Sequence, residues 1–206
     1  MIQIKSAKDP FTAPRVAVQA ATALARADAM GLLPSDEQIE TLDLGSFREA
    51  VSHIQRAGIG GNIQLALSDG KPASETAIEN ALARLNTALE ESPAPEFEWK
   101  RMSEVLGPEM LSRLLGISAS SIRRYKAAAR LTPDEVSGRL HFLSLLVGDL
   151  AGAYNEIGIR QWFDRKRAQL DGRSPSDWLK PRWKPGQAGP NRIQELARSL
   201  AASPAT

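Results

Sequence analysis

The stretch from Pro108 to Lys126, PEMLSRLLGISASSIRRYK, constrains the fold more than any other part of the chain. Its apolar residues recur at helical spacing on both sides of Gly116, where a left-handed backbone costs glycine little but costs other residues about 1 kcal/mol. Ser118 follows at a position from which a hydroxyl can cap a new helix. The sequence therefore predicts a helix, a tight turn and a second helix.

The two predicted helices have distinct buried and outward faces. Ser112 is small at a position where a larger side chain would keep the helices apart. The positions expected to be buried are Leu111, Leu114, Leu115, Ile117, Ile122 and Tyr125. The 3.6-residue period then leaves an outward face on the second helix made of Ala119, Ser120, Arg123, Arg124 and Ala127.

This outward face suits the major groove of DNA. Arginines pair with guanine edges or bind phosphates, serine hydroxyls donate to phosphates, and small alanines let a helix approach the bases closely. The candidate DNA contacts are Ser118, Ser120, Ser121, Arg123, Arg124, Lys126 and Arg130. A helical hairpin turned by glycine also occurs as plain packing, so a structural remnant that binds only a partner is the competing interpretation.

The charge along the chain changes sign near this segment. Residues 1–98 contain 8 Lys/Arg and 14 Asp/Glu, residues 99–130 contain 7 and 2, and residues 131–206 contain 11 and 8. A basic segment beside an acidic one suits a protein that touches phosphates with one surface only. A solvated cationic helix face would give the same pattern.

We expect an all-α fold in three parts: an N-terminal helical domain (1–98), a helix-turn-helix region with a long helix (99–157) and a C-terminal region (158–206). Periodicity predicts N-terminal helices over Pro14–Met30, Phe47–Ile54 and Ser74–Glu91, with a further helix start at Ser35. The proline-containing stretch Ser92–Pro95 is the candidate linker.

A long helix is predicted after the second basic helix. Thr132, Pro133 and Glu135 have the spacing of a capped helix start, and apolar residues then recur as far as Gly158, or about seven turns. We expect this helix to run through the core and to pair with a copy of itself. A homodimer would then present two DNA-binding helices about 34 Å apart.

The sequence offers no catalytic or metal-binding motif. It lacks cysteine, and His53 and His141 lie far apart on apolar helical stretches, which favours packing over chemistry. We therefore expect no enzymatic activity, no cofactor and no metal. Because Arg139 and Asp149 interrupt the most apolar stretch and the N-terminus has no signal-peptide pattern, we expect a cytoplasmic protein without a membrane span.

The last third of the chain carries a family resemblance. It begins with a Trp-containing turn at Trp162, followed by a Leu-x-Gly-x-Ser-Pro motif made of Leu170, Gly172, Ser174 and Pro175. The pair Trp178 and Leu179 comes next, and a closing amphipathic helix carries Ile193, Leu196 and Leu200. Together with the helix-turn-helix, residues 100–200 resemble the Xre/MbcA/ParS antitoxins. Residues 1–98 lie outside the resemblance. The stretch 180–190 is longer and richer in proline than the corresponding segment of the family.

The resemblance implies a non-catalytic antitoxin that represses its own promoter. Its partner would be a RES-domain toxin, an NAD-consuming or ADP-ribosylating enzyme, which the C-terminal region blocks. The toxin contacts implied are Trp162, Leu170, Gly172, Pro175, Trp178, Leu179, Ile193, Leu196 and Leu200. The small residues of the C-terminal tail would suit threading into a cleft.

Two alternatives stay open. The tryptophans and the closing helix can form either a partner interface or a small core against the long helix. The chain can also be a stand-alone helix-turn-helix transcription regulator without a toxin partner.

Overall fold

The computed structural model of this chain describes residues 2–34, 38–61, 74–180 and 182–202. The chain divides into two compact units, Met1–Ser92 (unit 1) and Pro93–Thr206 (unit 2). The division falls at the proline-containing linker rather than at residue 98, and no further division falls at residue 157. The helix-turn-helix and C-terminal regions therefore share one unit. The helix start predicted at Ser35 and the tail from residue 203 lie outside the described residues.

Unit 1 consists mainly of helices. In chain order they are α1 (Pro14–Ala29), α2 (Leu44–Arg56) and α3 (Glu75–Glu91). Helix α1 packs on α3, and the apolar positions that define both helices in the sequence are buried. Between them, the buried guanidinium of Arg26 reaches Glu90 at 2.7 Å. The three N-terminal helices predicted from periodicity are therefore confirmed.

Two short strands in unit 1 are absent from the sequence prediction. They are β1 (Ile4–Ala7) and β2 (Ile39–Leu42), which pair in parallel with Ile4 opposite Ile39. Four residues give too little alternation to distinguish a strand from a loop. The fold is nevertheless mostly helical, so the all-α prediction is confirmed.

Unit 2 is built around one buried helix. Its elements are α4 (Pro95–Leu106), α5 (Pro108–Leu115), α6 (Ala119–Lys126), α7 (Asp134–Ala151), α8 (Glu156–Asp164), a 3₁₀ turn (Ala168–Leu170), α9 (Pro175–Trp178) and α10 (Ala188–Ala202). Helices α4, α5, α8 and α10 pack on α7, and every residue of α7 from Arg139 to Leu150 is buried. Among the described residues, no helix combines the length and the apolar character that crossing a membrane requires.

Helix α7 is shorter than its apolar spacing suggests. It begins after Pro133, ends at Ala151 and has 18 residues, so the prediction of a helix to Gly158 is wrong. Thr132 does not cap it, because Pro133 is the N-cap residue and no side chain bonds to the first turn. The Thr132 hydroxyl instead accepts the Trp99 indole N–H at 2.8 Å. The apolar spacing continues across the break because α8 adds residues to the same core. Helices of the same unit cover the apolar surface of α7, so that surface is not an argument for a homodimer. The homodimer stays a prediction.

Candidate nucleic-acid interface

The chain around Gly116 has the predicted helix, turn and helix. Helix α5 ends at Leu115, and Gly116 adopts φ 67° and ψ 33°, in the left-handed region. The amides of Gly116 and Ile117 both donate to the Ser112 carbonyl, at 3.0 and 3.2 Å. The Ser112 hydroxyl in turn donates to the Ile117 carbonyl at 2.6 Å. Ser112 therefore closes the turn with its backbone and its side chain, in addition to being small.

Three serines form one hydrogen-bonded group at the start of α6. The Ser118 hydroxyl oxygen accepts the Ser121 amide at 3.2 Å and caps the helix as predicted. The hydroxyls of Ser120 and Ser121 lie 2.9 and 3.0 Å from the same oxygen. Ser120 is exposed, whereas Ser121 is half-buried. Ser118 is exposed as well, so two of the three hydroxyl groups face solvent.

The inward side of α6 is held by α4. Of the positions predicted to face inward, Leu111, Leu114, Leu115, Ile122 and Tyr125 are buried and Ile117 is half-buried. The Tyr125 ring stacks on Trp99 with centroids 5.6 Å apart and planes inclined by 21°. The guanidinium of Arg130 lies 6.0 Å from the same Tyr125 ring. This stack, which sequence analysis missed, restrains α6 from rotating about its axis.

The outward side of α6 is exposed as predicted. Ser120, Arg123, Arg124, Ala127 and Ala129 line an open concavity of about 460 Å³. Lys126 and Arg130 also face solvent. Across the part of the chain that the structure describes, neither Arg123 nor Arg124 forms an ion pair or a side-chain hydrogen bond. Both guanidinium groups are therefore available to an anionic ligand.

Comparison with known proteins identifies no relative. No protein-family model, curated protein or solved structure matches the chain. The resemblance to Xre/MbcA/ParS antitoxins therefore stays a prediction, and it depends on the motif residues alone.

The C-terminal motif residues occupy two kinds of position. Those that are buried are Trp162, Leu170, Pro175, Leu179 and Ile193. Those that are exposed or half-exposed are Gly172, Trp178, Leu196 and Leu200. The buried set belongs to the core of unit 2, where Trp162 packs edge-on to Phe163 at 5.5 Å. In this fold those five side chains cannot touch a partner directly, and the small-core interpretation accounts for them.

Trp178 joins the 3₁₀ turn to α10. Its indole N–H donates to the Leu170 carbonyl at 3.2 Å. The guanidinium groups of Arg173 and Arg192 lie 5.7 and 5.8 Å from its ring. A Cβ added at Gly189 would lie 2.8 Å from a ring carbon, so glycine lets the ring rest on the first turn of α10. The half-exposed ring and its two cations form a surface that a partner can reach.

Two buried donors close the C-terminal end of α5. The Trp183 indole N–H donates to the Leu114 carbonyl at 2.8 Å, and Arg139 donates to the Leu115 carbonyl at 2.9 Å. Arg139 also donates to the Trp183 carbonyl at 2.8 Å and pairs with Glu135 at 2.5 Å. The last carbonyls of a helix have no intrahelical partner, so these donors satisfy groups that burial would otherwise leave unpaired. In the sequence, Arg139 is recognisable only as an interruption of an apolar stretch. A lone arginine within such a stretch is the signal that indicates buried acceptors.

A second buried polar contact lies between α4 and α7. His141 Nδ1 is 2.6 Å from Glu98 Oε1, and both residues are buried. Burial raises the pKa of the Glu98 carboxyl, and its hydrogen bond with His141 opposes that shift only in part. His53 instead lies 2.9 Å from the Arg56 guanidinium. No group of three or more metal-ligating side chains comes together within the described ranges.

Proposed function

We propose that the chain binds DNA through α6 and acts as a promoter-binding antitoxin of the Xre/MbcA/ParS type. The observation that carries the proposal is the pair Arg123 and Arg124, which is exposed and without an ion pair in the described chain. The opposite side of α6 is held by the stack of Tyr125 on Trp99. Two guanidinium groups on a helix of fixed orientation suit bidentate recognition of guanine edges.

The rest of α6 supplies contacts that suit the DNA backbone. In helix-turn-helix complexes the second helix lies in the major groove and the first helix crosses the backbone. The hydroxyl of Ser120 and the cations Lys126 and Arg130, all exposed, then bind phosphates. Most of the affinity comes from these charges and most of the specificity from the two arginines.

The C-terminal part of unit 2 is the proposed toxin-binding surface. Its accessible members are Gly172, Trp178, Leu196 and Leu200, next to Arg173 and Arg192. The five buried motif residues position this surface without touching the toxin. We expect a RES-domain toxin as the partner, and a cytoplasmic homodimer as the DNA-bound form.

A stand-alone transcription regulator is the second candidate function. The observation that favours it is the burial of Trp162, Leu170, Pro175, Leu179 and Ile193, which gives these motif residues a role in the core that needs no toxin. DNA binding through α6 is common to both functions, so it is tested first.

DNA binding is tested with the full chain and the DNA segment upstream of its own gene. We expect the double variant Arg123→Ala and Arg124→Ala to lose about 1 to 3 kcal/mol for each arginine, which is roughly 30-fold or more in affinity. Its matched control replaces Arg15 and Arg84, two exposed arginines of unit 1, by alanine. Equal binding by the two variants, or no preference of the parent protein for this segment over random DNA, would rule out base reading by α6.

Toxin neutralisation is tested by co-expression. A RES-domain enzyme encoded beside this gene should stop growth alone and should be tolerated when this chain is present. Substitution of Trp178 and Leu196 by alanine should restore toxicity, whereas the Arg123 and Arg124 variant should still protect. If cells die equally with and without the chain, the antitoxin role is wrong and the stand-alone regulator remains.

A further inference from the structure

The loop between α9 and α10 has two exposed cations on either side of a buried tryptophan. We call residues 182–187 the Trp183 loop. Arg182 and Lys184 face solvent, whereas Trp183 is only 4% exposed. Arg182 has φ 74°, a left-handed conformation that costs a residue with a Cβ about 1 kcal/mol or more. Throughout the described ranges, neither cationic side chain has an ion-pair partner.

The Trp183 loop lies at the end of α5 that leads into α6. Trp183 donates to Leu114 at 2.8 Å, and Arg139 bridges the carbonyls of Trp183 and Leu115 at 2.8 and 2.9 Å. Ser118, the cap of α6, follows Leu115 by three residues, which span at most about 11 Å. The loop is therefore hydrogen-bonded to the last turn of α5, from which the chain passes through a short turn into α6.

The acidic group that contacts this junction is already neutralised. Glu135 pairs with the buried guanidinium of Arg139 at 2.5 Å. The loop is also ordered from within, because the Lys184 amide donates to Gln187 Oε1 at 2.9 Å. Arg182 and Lys184 thus present two charges from a held backbone, with no carboxylate of the described chain bound to either.

We infer that Arg182 and Lys184 bind DNA phosphates beside the groove that α6 enters, so that the Trp183 loop is a second element of the DNA interface. This inference rests on the proposed function of α6. The first helix of a helix-turn-helix crosses the DNA backbone, so exposed cations held at the end of α5 can meet the phosphates that border the groove entered by α6. Such contacts raise affinity and fix the docking position without reading sequence.

The test is a salt series with the full chain. The double variant Arg182→Gln and Lys184→Gln is compared with the parent and with Lys8→Gln and Arg15→Gln, an equal change of charge at exposed positions of unit 1. Each lost phosphate contact makes the slope of log K against log salt shallower by about 0.9. We expect a change of about 1.8 for the loop variant, no change for the control, and an unchanged preference for the upstream segment over unrelated DNA.

Each other outcome identifies which idea fails. A parent protein that binds no DNA overturns both the function of α6 and this inference. A parent that binds, with the same slope in the loop variant, overturns the inference alone, and so does an equal change of slope in the control. If the loop variant keeps its DNA affinity but no longer protects against the toxin, the loop belongs to a protein interface and the inference is wrong.

Discussion

The contact of Trp183 with Leu114 predicts a specific loss of stability. The variant Trp183→Phe keeps a buried ring beside Phe142, whose centroid is 5.1 Å away, but removes the indole N–H that donates at 2.8 Å. Trp162→Phe is the matched control. Trp162 is equally buried and also packs edge-on to a phenylalanine, at 5.5 Å, but its indole N–H has no partner within the described residues.

The expected difference follows from what each substitution leaves behind. Both variants lose the same ring volume, so the cavity term largely cancels between them. Only Trp183→Phe leaves a buried acceptor, the Leu114 carbonyl, without its donor, which costs about 1 to 3 kcal/mol. Trp162→Phe removes a donor that was already unsatisfied. We therefore expect the unfolding free energy of unit 2 to be about 1 to 3 kcal/mol lower in Trp183→Phe than in Trp162→Phe.

Tryptophan fluorescence during urea unfolding measures this difference. All four tryptophans of the chain, at 99, 162, 178 and 183, lie in unit 2, so the signal follows that unit alone. At a typical urea dependence of roughly 1 to 3 kcal/mol per molar, the midpoint of Trp183→Phe should lie about 1 M below that of the control. Coincident midpoints would refute the reasoning, because the bond to Leu114 would then add no net stability to the end of α5.

Two further predictions concern burial and close packing in unit 2. Burial raises the pKa of the Glu98 carboxyl above its ordinary 4.5. The neutral carboxyl therefore contributes fully to the free energy of unfolding below pH 4.5, and this contribution is lost as the pH rises through the raised pKa. In urea unfolding from pH 4 to 8, the parent should therefore lose stability relative to Glu98→Gln, by up to about 1.4 kcal/mol per pH unit, and parallel profiles would contradict this. Gly189→Ala places a Cβ 2.8 Å from the Trp178 ring and should cost about 1 to 3 kcal/mol of overpacking. At Gly152 a Cβ meets nothing within 4 Å and φ is −70°, so Gly152→Ala should be neutral or slightly stabilising, and equal losses in the two variants would exclude the clash.

The sequence is most informative where the determinants are local. Gly116 and Ser118 mark the turn within three residues, and the helical period assigns the outward side of Arg123 and Arg124 without knowledge of the rest of the fold. The same period fails at Gly152, because apolar spacing continues through a break when the next helix packs on the same core. Periodicity thus identifies buried faces better than helix ends.

The contacts that hold the candidate site could not be predicted, because they join distant residues. Trp183 and Leu114 are 69 residues apart, and Trp99 and Thr132 are 33 apart. Composition and spacing identify a tryptophan as buried or as an interface residue but do not name the atom to which it donates. The predicted C-terminal contacts illustrate this, since Trp162 is buried whereas Trp178 is half-exposed, although both occupy motif positions.

The small size of the two motif helices explains why the C-terminal region belongs to the same unit. Helices α5 and α6 have eight residues each, and isolated helices shorter than about 12 to 15 residues are marginal in water. Their stability must therefore come from tertiary contacts: Trp99 against Tyr125 on one side, and Trp183 with Arg139 at the end of α5. Trp183 lies beyond residue 157, so the helix-turn-helix depends on a segment that the family resemblance assigns to toxin binding. A ligand that stabilises or displaces the Trp183 loop consequently acts on the same cooperative structure that orients Arg123 and Arg124.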